Sequence, residues 1–221
     1  MTNGSPLKRI LCYGDSNTWG YIPKNGDAVN RYAPHVRWTG QLQKLGQGNF
    51  LIIEEGLNGR TTGIEDPEFP GRNGDDYLLP CLESHFPLDL VILMLGTNDL
   101  KHKFNPVPEV IAQRMAAMIQ KIRQVAKTES RKPSQVLLLS LPKLLLAYTY
   151  DKFIYPELEG NLVKLNRLYR ELAERERTHF LDIENIVQTS RVDGVHLDEG
   201  EHAIFAAAVM EKLKTVPQLC S

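Results

Sequence analysis

The chain has 221 residues, with 26 basic and 27 acidic side chains and a formal net charge of −1. Charges that nearly cancel leave no broad basic face to release counterions from a nucleic acid or to dock on anionic lipid, so neither partner is expected. The length suits one domain over residues 1–221, large enough to bury roughly 70% of the surface that the unfolded chain exposes.

The first apolar run, residues 9–13, reads as a strand. Its apolar part, Ile10 to Tyr13, is too short for a signal-peptide core, and a cytoplasmic location is expected. A helix follows at 38–45, a strand at 50–54 and a third strand at 88–95, whose near-continuous apolarity suits burial on both faces. Residues 106–127 carry Val110, Ile111, Met115, Met118, Ile119 and Ile122 on one helical stripe. A fourth strand is expected at 135–141. The apolar stretch 136–150 is interrupted by Ser140, Pro142 and Lys143, below the ~20 residues that a membrane-spanning helix requires. It reads instead as that strand followed by a leucine-rich loop. A helix at 161–177, with Leu165, Leu168 and Leu172 on its apolar stripe, leads to a fifth strand at 179–183. A last helix runs from 198 to about 213, with Asp198 and Glu201 at the spacing of an N-terminal capping pair.

Strand and helix alternate, which implies βαβ crossovers and a parallel sheet of five strands within an α/β, three-layer αβα sandwich of flavodoxin-like type. Ligands bind such sheets at the carboxyl ends of the strands, near a reversal of strand order. The segments 21–34 and 61–80, rich in Gly, Pro, Asn and Asp, emerge at that end and are read as loops roofing a pocket. Cys12, Cys81 and Cys220 form no C-x-x-C pair and cannot all be bridged, so they read as free thiols.

Four polar islands punctuate this pattern: Gly14-Asp15-Ser16-Asn17-Thr18, Gly59, Gly96-Thr97-Asn98-Asp99 and Asp193-Gly194-Val195-His196. Each alone has an ordinary structural reading. Gly-Asp-Ser after a strand is common turn and cap chemistry, an Asn after a strand is commonly a satisfied loop amide, and an Asp-x-x-His can be a surface loop. Together they supply a hydroxyl nucleophile, a base, an orienting acid and donors for a tetrahedral oxyanion, each placed where the sheet gathers its ligands. The joint pattern favours a serine-hydrolase site.

These four blocks resemble those of the SGNH (GDSL) hydrolase superfamily. More narrowly, Ile10-Leu11-Cys12-Tyr13-Gly14-Asp15-Ser16-Asn17-Thr18-Trp19-Gly20, Val36-Arg37-Trp38-Thr39-Gly40 and Glu54-Glu55-Gly56-Leu57-Asn58-Gly59-Arg60-Thr61-Thr62 look like its bacterial arylesterase/acyltransferase branch. The resemblance implies that Ser16 is the nucleophile, His196 the general base and Asp193 its orienting acid. It implies an oxyanion hole made by the backbone N–H groups of Ser16 and Gly59 and the side-chain amide of Asn98. Asp15, Trp19 and Thr97 are candidates for the substrate pocket. The expected function is a serine esterase for short-chain carboxylic esters, with possible transfer of the acyl group to an acceptor other than water. The alternatives within the superfamily are a carbohydrate acetylesterase and a lysophospholipase or thioesterase.

No cofactor is expected, and the only partner expected besides a small-molecule ester is a second copy of the chain, by family analogy. The acidic, histidine-bearing stretch from Asp193 to His202 lacks both an H-E-x-x-H helix pair and a calcium-loop pattern, so no metal is assigned to it. A flavodoxin-like binding module is a rival reading, but the turn after the first strand, with one glycine before Asp15, lacks a phosphate cradle.

Overall fold

The computed structural model describes residues 7–23, 30–128, 133–145, 147–148, 157–217 and 219. Cys220, the centre of the expected loop 21–34 and part of the leucine-rich stretch lie outside the described residues. Five strands, β1 (Lys8–Gly14), β2 (Phe50–Gly56), β3 (Leu90–Met94), β4 (Gln135–Leu139) and β5 (His179–Leu181), form one parallel sheet in the order β2-β1-β3-β4-β5. Ile10 of β1 stands opposite Ile52 on one side and Leu90 on the other. The chain leaves β1 in one direction to make β2 and in the other to make β3, so strand order reverses at β1. In sheets of this kind ligands bind beyond the carboxyl ends of the strands at such a reversal, here β1 and β3.

Six α-helices are described: α1 (Ser16–Trp19), α2 (Trp38–Leu45), α3 (Gly74–His85), α4 (Pro108–Thr128), α5 (Leu158–Glu176) and α6 (Glu199–Leu213). The two-residue period of a strand sorts the sheet's side chains between two cores. Leu11, Tyr13, Val91 and Leu93 pack against α3, α4 and α5, while Ile10, Cys12, Ile92 and Leu139 pack against α2 and α6. Both faces of β3 are therefore covered, and all five of its residues are buried. This is the three-layer arrangement that alternation implies.

Departures from the expected elements have local causes. The segment 61–80 is not loop throughout, because α3 begins at Gly74. Asn73 caps that helix by accepting a hydrogen bond from the Asp75 N–H at 3.1 Å, and Leu78, Cys81 and Leu82 face the core. Gly74 and Pro80 hide the helix from a propensity reading, since both weaken helix interiors. On α4, Ile111, Met115, Met118, Ile119 and Ile122 are buried as the stripe requires, but Val110 is exposed. Asp198 occupies the N-cap of α6 without making a capping side-chain bond, and Glu201 accepts from the Gln188 N–H at 2.9 Å instead of completing a capping pair.

Candidate active site

The first strand delivers Ser16 by a turn with little freedom. Gly14 ends β1, and a Cβ built on it would lie 2.1 Å from Thr18 Oγ1, so only glycine fits against the first turn of α1. Asp15 caps that turn, its Oδ1 accepting from the Asn17 N–H at 3.0 Å. Ser16 then sits at the head of α1, only 8% exposed. Among the described residues its backbone N–H donates to no protein atom.

The partner loop precedes α6 and is organised by one carboxylate. Asp193 Oδ1 accepts from the backbone N–H groups of Val195 and His196, each at 3.0 Å. Its Oδ2 lies 2.8 Å from His196 Nδ1, and His196 Nε2 lies 2.9 Å from Ser16 Oγ. With Nδ1 donating to the carboxylate, Nε2 is left as an acceptor facing the serine hydroxyl. Burial pushes the Asp193 carboxyl upward, but the bonds from the His196 ring, from the His196 charge and from the two N–H groups outweigh it and hold the pKa below the ordinary carboxylate value.

Gly59 and Asn98 lie on the segments that follow β2 and β3. Gly59 has φ +77°, a conformation that disfavours a side chain, and its N–H has no protein acceptor among the described residues. Asn98 opens a 3-10 turn (Asn98–Leu100) just past β3 and donates one Nδ2 hydrogen to the Arg60 carbonyl at 3.1 Å. The second Nδ2 hydrogen is left for another acceptor. Asp99 ties this turn to the neighbouring segment by accepting from the Thr62 N–H at 2.9 Å and the Thr62 hydroxyl at 2.5 Å. Burial raises the Asp15 and Asp99 carboxyls to a pKa of about 6 in each case, against the hydrogen bonds they receive.

Of the residues expected to form the site, Ser16, His196 and Asp193 are joined in series by hydrogen bonds. Of the pocket candidates, Asp15 and Thr97 are buried in the turns, and Trp19 is half-buried with the Arg31 guanidinium 5.0 Å over its ring. Three neighbours make contacts to which the sequence reading assigned no role. The Tyr21 ring stacks on the His196 imidazole, centroids 4.2 Å apart at 28°. Asn17 bonds to both residues flanking His196. Arg60 donates to the Gly14 carbonyl at 3.0 Å and lies 4.2 Å over the Tyr13 ring.

A cavity of about 560 Å³ opens on the β2 side, lined by Glu55, Leu57, Arg60, Glu65, Asn73 and Tyr77, and neither Ser16 nor His196 reaches it. Beside it the ligand atoms of Glu55, Cys81 and His85 lie within 4.8 Å of one another. They fit a metal poorly. Glu55 and His85 satisfy each other at 2.9 Å, and burial pushes the Cys81 thiol up to about 12, away from the thiolate a metal needs.

Residues 12–203 match the GDSL-like Lipase/Acylhydrolase family. A comparison with curated proteins gives no match. Among solved structures, the native aryl esterase of M. smegmatis is 40% identical, with a TM-score of 0.88 over 95% of this chain and 99% of that one. Its inhibitor-bound form gives 38% and 0.89 over the same shares. Est24, a carbohydrate acetylesterase from Sinorhizobium meliloti, is 34% identical, with a TM-score of 0.88 over 95% of this chain and 99% of its own. With the family match covering all four polar islands, the chain belongs to the GDSL-like lipase/acylhydrolases, the SGNH family, and is a carboxylic ester hydrolase.

Proposed function

We propose that this hydrolase is a serine esterase acting on short-chain carboxylic esters by two acyl-transfer steps. The observation that carries the proposal is the relay in which Ser16 Oγ, His196 and Asp193 stand 2.9 and 2.8 Å apart in series. In the first step Ser16 Oγ attacks the ester carbonyl carbon while His196 Nε2 takes the hydroxyl proton. Asp193 holds the ring with Nε2 toward the serine and stabilises the imidazolium that forms. The N–H groups of Ser16 and Gly59, both without protein acceptors among the described residues, and the second Nδ2 hydrogen of Asn98 receive the oxyanion. His196 returns its proton to the departing alkoxide, leaving an acyl-serine. Water then attacks the acyl carbon, again deprotonated by His196, and Ser16 leaves with the proton. A small alcohol in place of water gives a transferred ester by the same step.

A nucleophile only 8% exposed favours small acyl groups. The aryl esterase relatives support aryl or simple alkyl alcohols as leaving groups. A second reading, acetyl removal from a carbohydrate, is supported by the 34% identity to Est24. Rates on a panel of p-nitrophenyl esters of increasing acyl length and on acetylated sugars, with wild type and Ser16→Ala in parallel, test both. The expected result is fastest turnover of acetyl and propionyl aryl esters and a roughly 10⁴-fold or greater loss of kcat in Ser16→Ala. Undiminished turnover by Ser16→Ala would contradict the mechanism, and a best rate on long acyl chains would contradict the substrate class.

A further inference from the structure

The relay couples two units built far apart in the chain. Asp193 and His196 belong to one loop and are bonded within it, so they move together. Ser16 belongs to the β1–α1 turn. Their catalytic geometry depends on the distance between the two units, which the Asp193–His196 bond does nothing to fix. Asn17, immediately after the serine, is 3% exposed and its carboxamide spans that gap. Its Nδ2 donates to the Val195 carbonyl at 3.2 Å, and its Oδ1 accepts from the Leu197 N–H at 3.0 Å. Both ends of one amide are thus used on the two residues that flank His196, 178 and 180 positions away. The Asn17 backbone N–H is itself held by Asp15, so the side chain projects from a fixed point.

We propose that Asn17 is a positioning residue that sets the Ser16–His196 separation by clamping the backbone on either side of the histidine. The proposal rests on the serine-esterase reading above. A planar amide with one donor and one acceptor matches one carbonyl and one N–H, and no apolar residue of the same size can do so. Removing it leaves the buried Leu197 N–H and the half-buried Val195 carbonyl without that partner and frees the loop to settle elsewhere. Displacement of a reacting group by about 1 Å is enough to cost on the order of 10²-fold in rate.

The test is the rate at which a fluorophosphonate ester phosphonylates Ser16 in wild type, Asn17→Leu, Asn17→Ala and Ser16→Ala, measured well below each melting temperature. In that reaction Ser16 Oγ bonds to phosphorus, fluoride departs and His196 takes the proton. The expected result is labelling of wild type, none of Ser16→Ala, and roughly 10- to 100-fold slower labelling of the Asn17 variants. For ester turnover, with rates referred to active sites counted by the end point of phosphonylation, the same variants are expected to lose kcat with KM within about twofold, a loss that a smaller folded fraction does not produce on that scale. Asn17 variants that are labelled and turn over as fast as wild type would overturn the clamp and leave the esterase reading intact. A wild type that is not labelled at Ser16 would overturn that reading, and the clamp with it. Where neither variant folds, amide exchange in the wild type decides: the clamp requires a protected Leu197 N–H, and exchange at the rate of an open loop would overturn it.

Discussion

His202 offers a stability measurement whose sign and size follow from its surroundings. It lies in α6, fully buried, with Nδ1 accepting from the Trp38 N–H at 3.3 Å and the Tyr32 ring edge-on at 5.2 Å. Its Nε2 has no hydrogen-bond partner among the described residues. Burial first, and the Arg37 charge second, lower its pKa to about 4. The unfolded chain binds that proton near pH 6.5, so between about pH 6.5 and 4 the unfolded state holds more protons and unfolding is favoured as pH falls. At pH 5 the loss from this residue is about 2 kcal/mol, approaching about 3 kcal/mol at pH 4. Asp15 and Asp99 act in the opposite direction. Their folded values of about 6 lie above those of the unfolded chain, so they make folding more favourable as pH falls through the same window, and the total curve is a sum of opposed terms. The isolating perturbation is therefore His202→Asn, whose carbonyl can replace Nδ1 as acceptor without titrating. Urea unfolding of both proteins, followed by the fluorescence of Trp19 and Trp38, gives the difference at pH 7.5 and pH 5. The wild type is expected to lose about 2 kcal/mol relative to the variant over that interval. A difference independent of pH would refute the reasoning.

In the proposed mechanism Asn98→Ala removes one of three oxyanion donors, and it is expected to lower kcat by about 10²- to 10³-fold with the fold retained, read from ester turnover and circular dichroism. Asp193→Asn keeps the shape of the acid but removes its charge and permits the wrong imidazole tautomer, so kcat is expected to fall by about 10⁴-fold. Gly14→Ala places a methyl group 2.1 Å from the buried Thr18 Oγ1 and 3.1 Å from the Met94 carbonyl. Its expected cost is about 1–3 kcal/mol, measured by denaturant unfolding, with a fall in activity from the displaced Ser16 turn.

The sheet was legible because its strands carry their burial in their own composition: Leu90–Met94 is apolar throughout and is covered on both sides. The four islands were legible because each follows a strand or precedes a helix, and the sheet brings those ends together. What sequence could not show depends on partners distant in the chain. Asn17 reads locally as a turn residue, and only the arrival of Val195 and Leu197 gives its amide a second meaning. Tyr21 reads as the start of a polar loop until its ring is found on His196. Helix α3 was hidden by Gly74 and Pro80, whose intrinsic penalties are overcome by the Asn73 cap and the burial of Leu78, Cys81 and Leu82. Asp198 and Glu201 show the reverse error, a correct spacing whose second member is drawn away by the Gln188 N–H.

The most direct test of the central claim is to trap the covalent intermediate. Enzyme mixed with p-nitrophenyl acetate, quenched in acid within the first turnovers and digested, is expected to carry one acetyl group on the peptide containing Ser16, with a matching burst of p-nitrophenol and neither signal in Ser16→Ala. Ester hydrolysis that proceeds with an acetyl group on another residue would contradict the account.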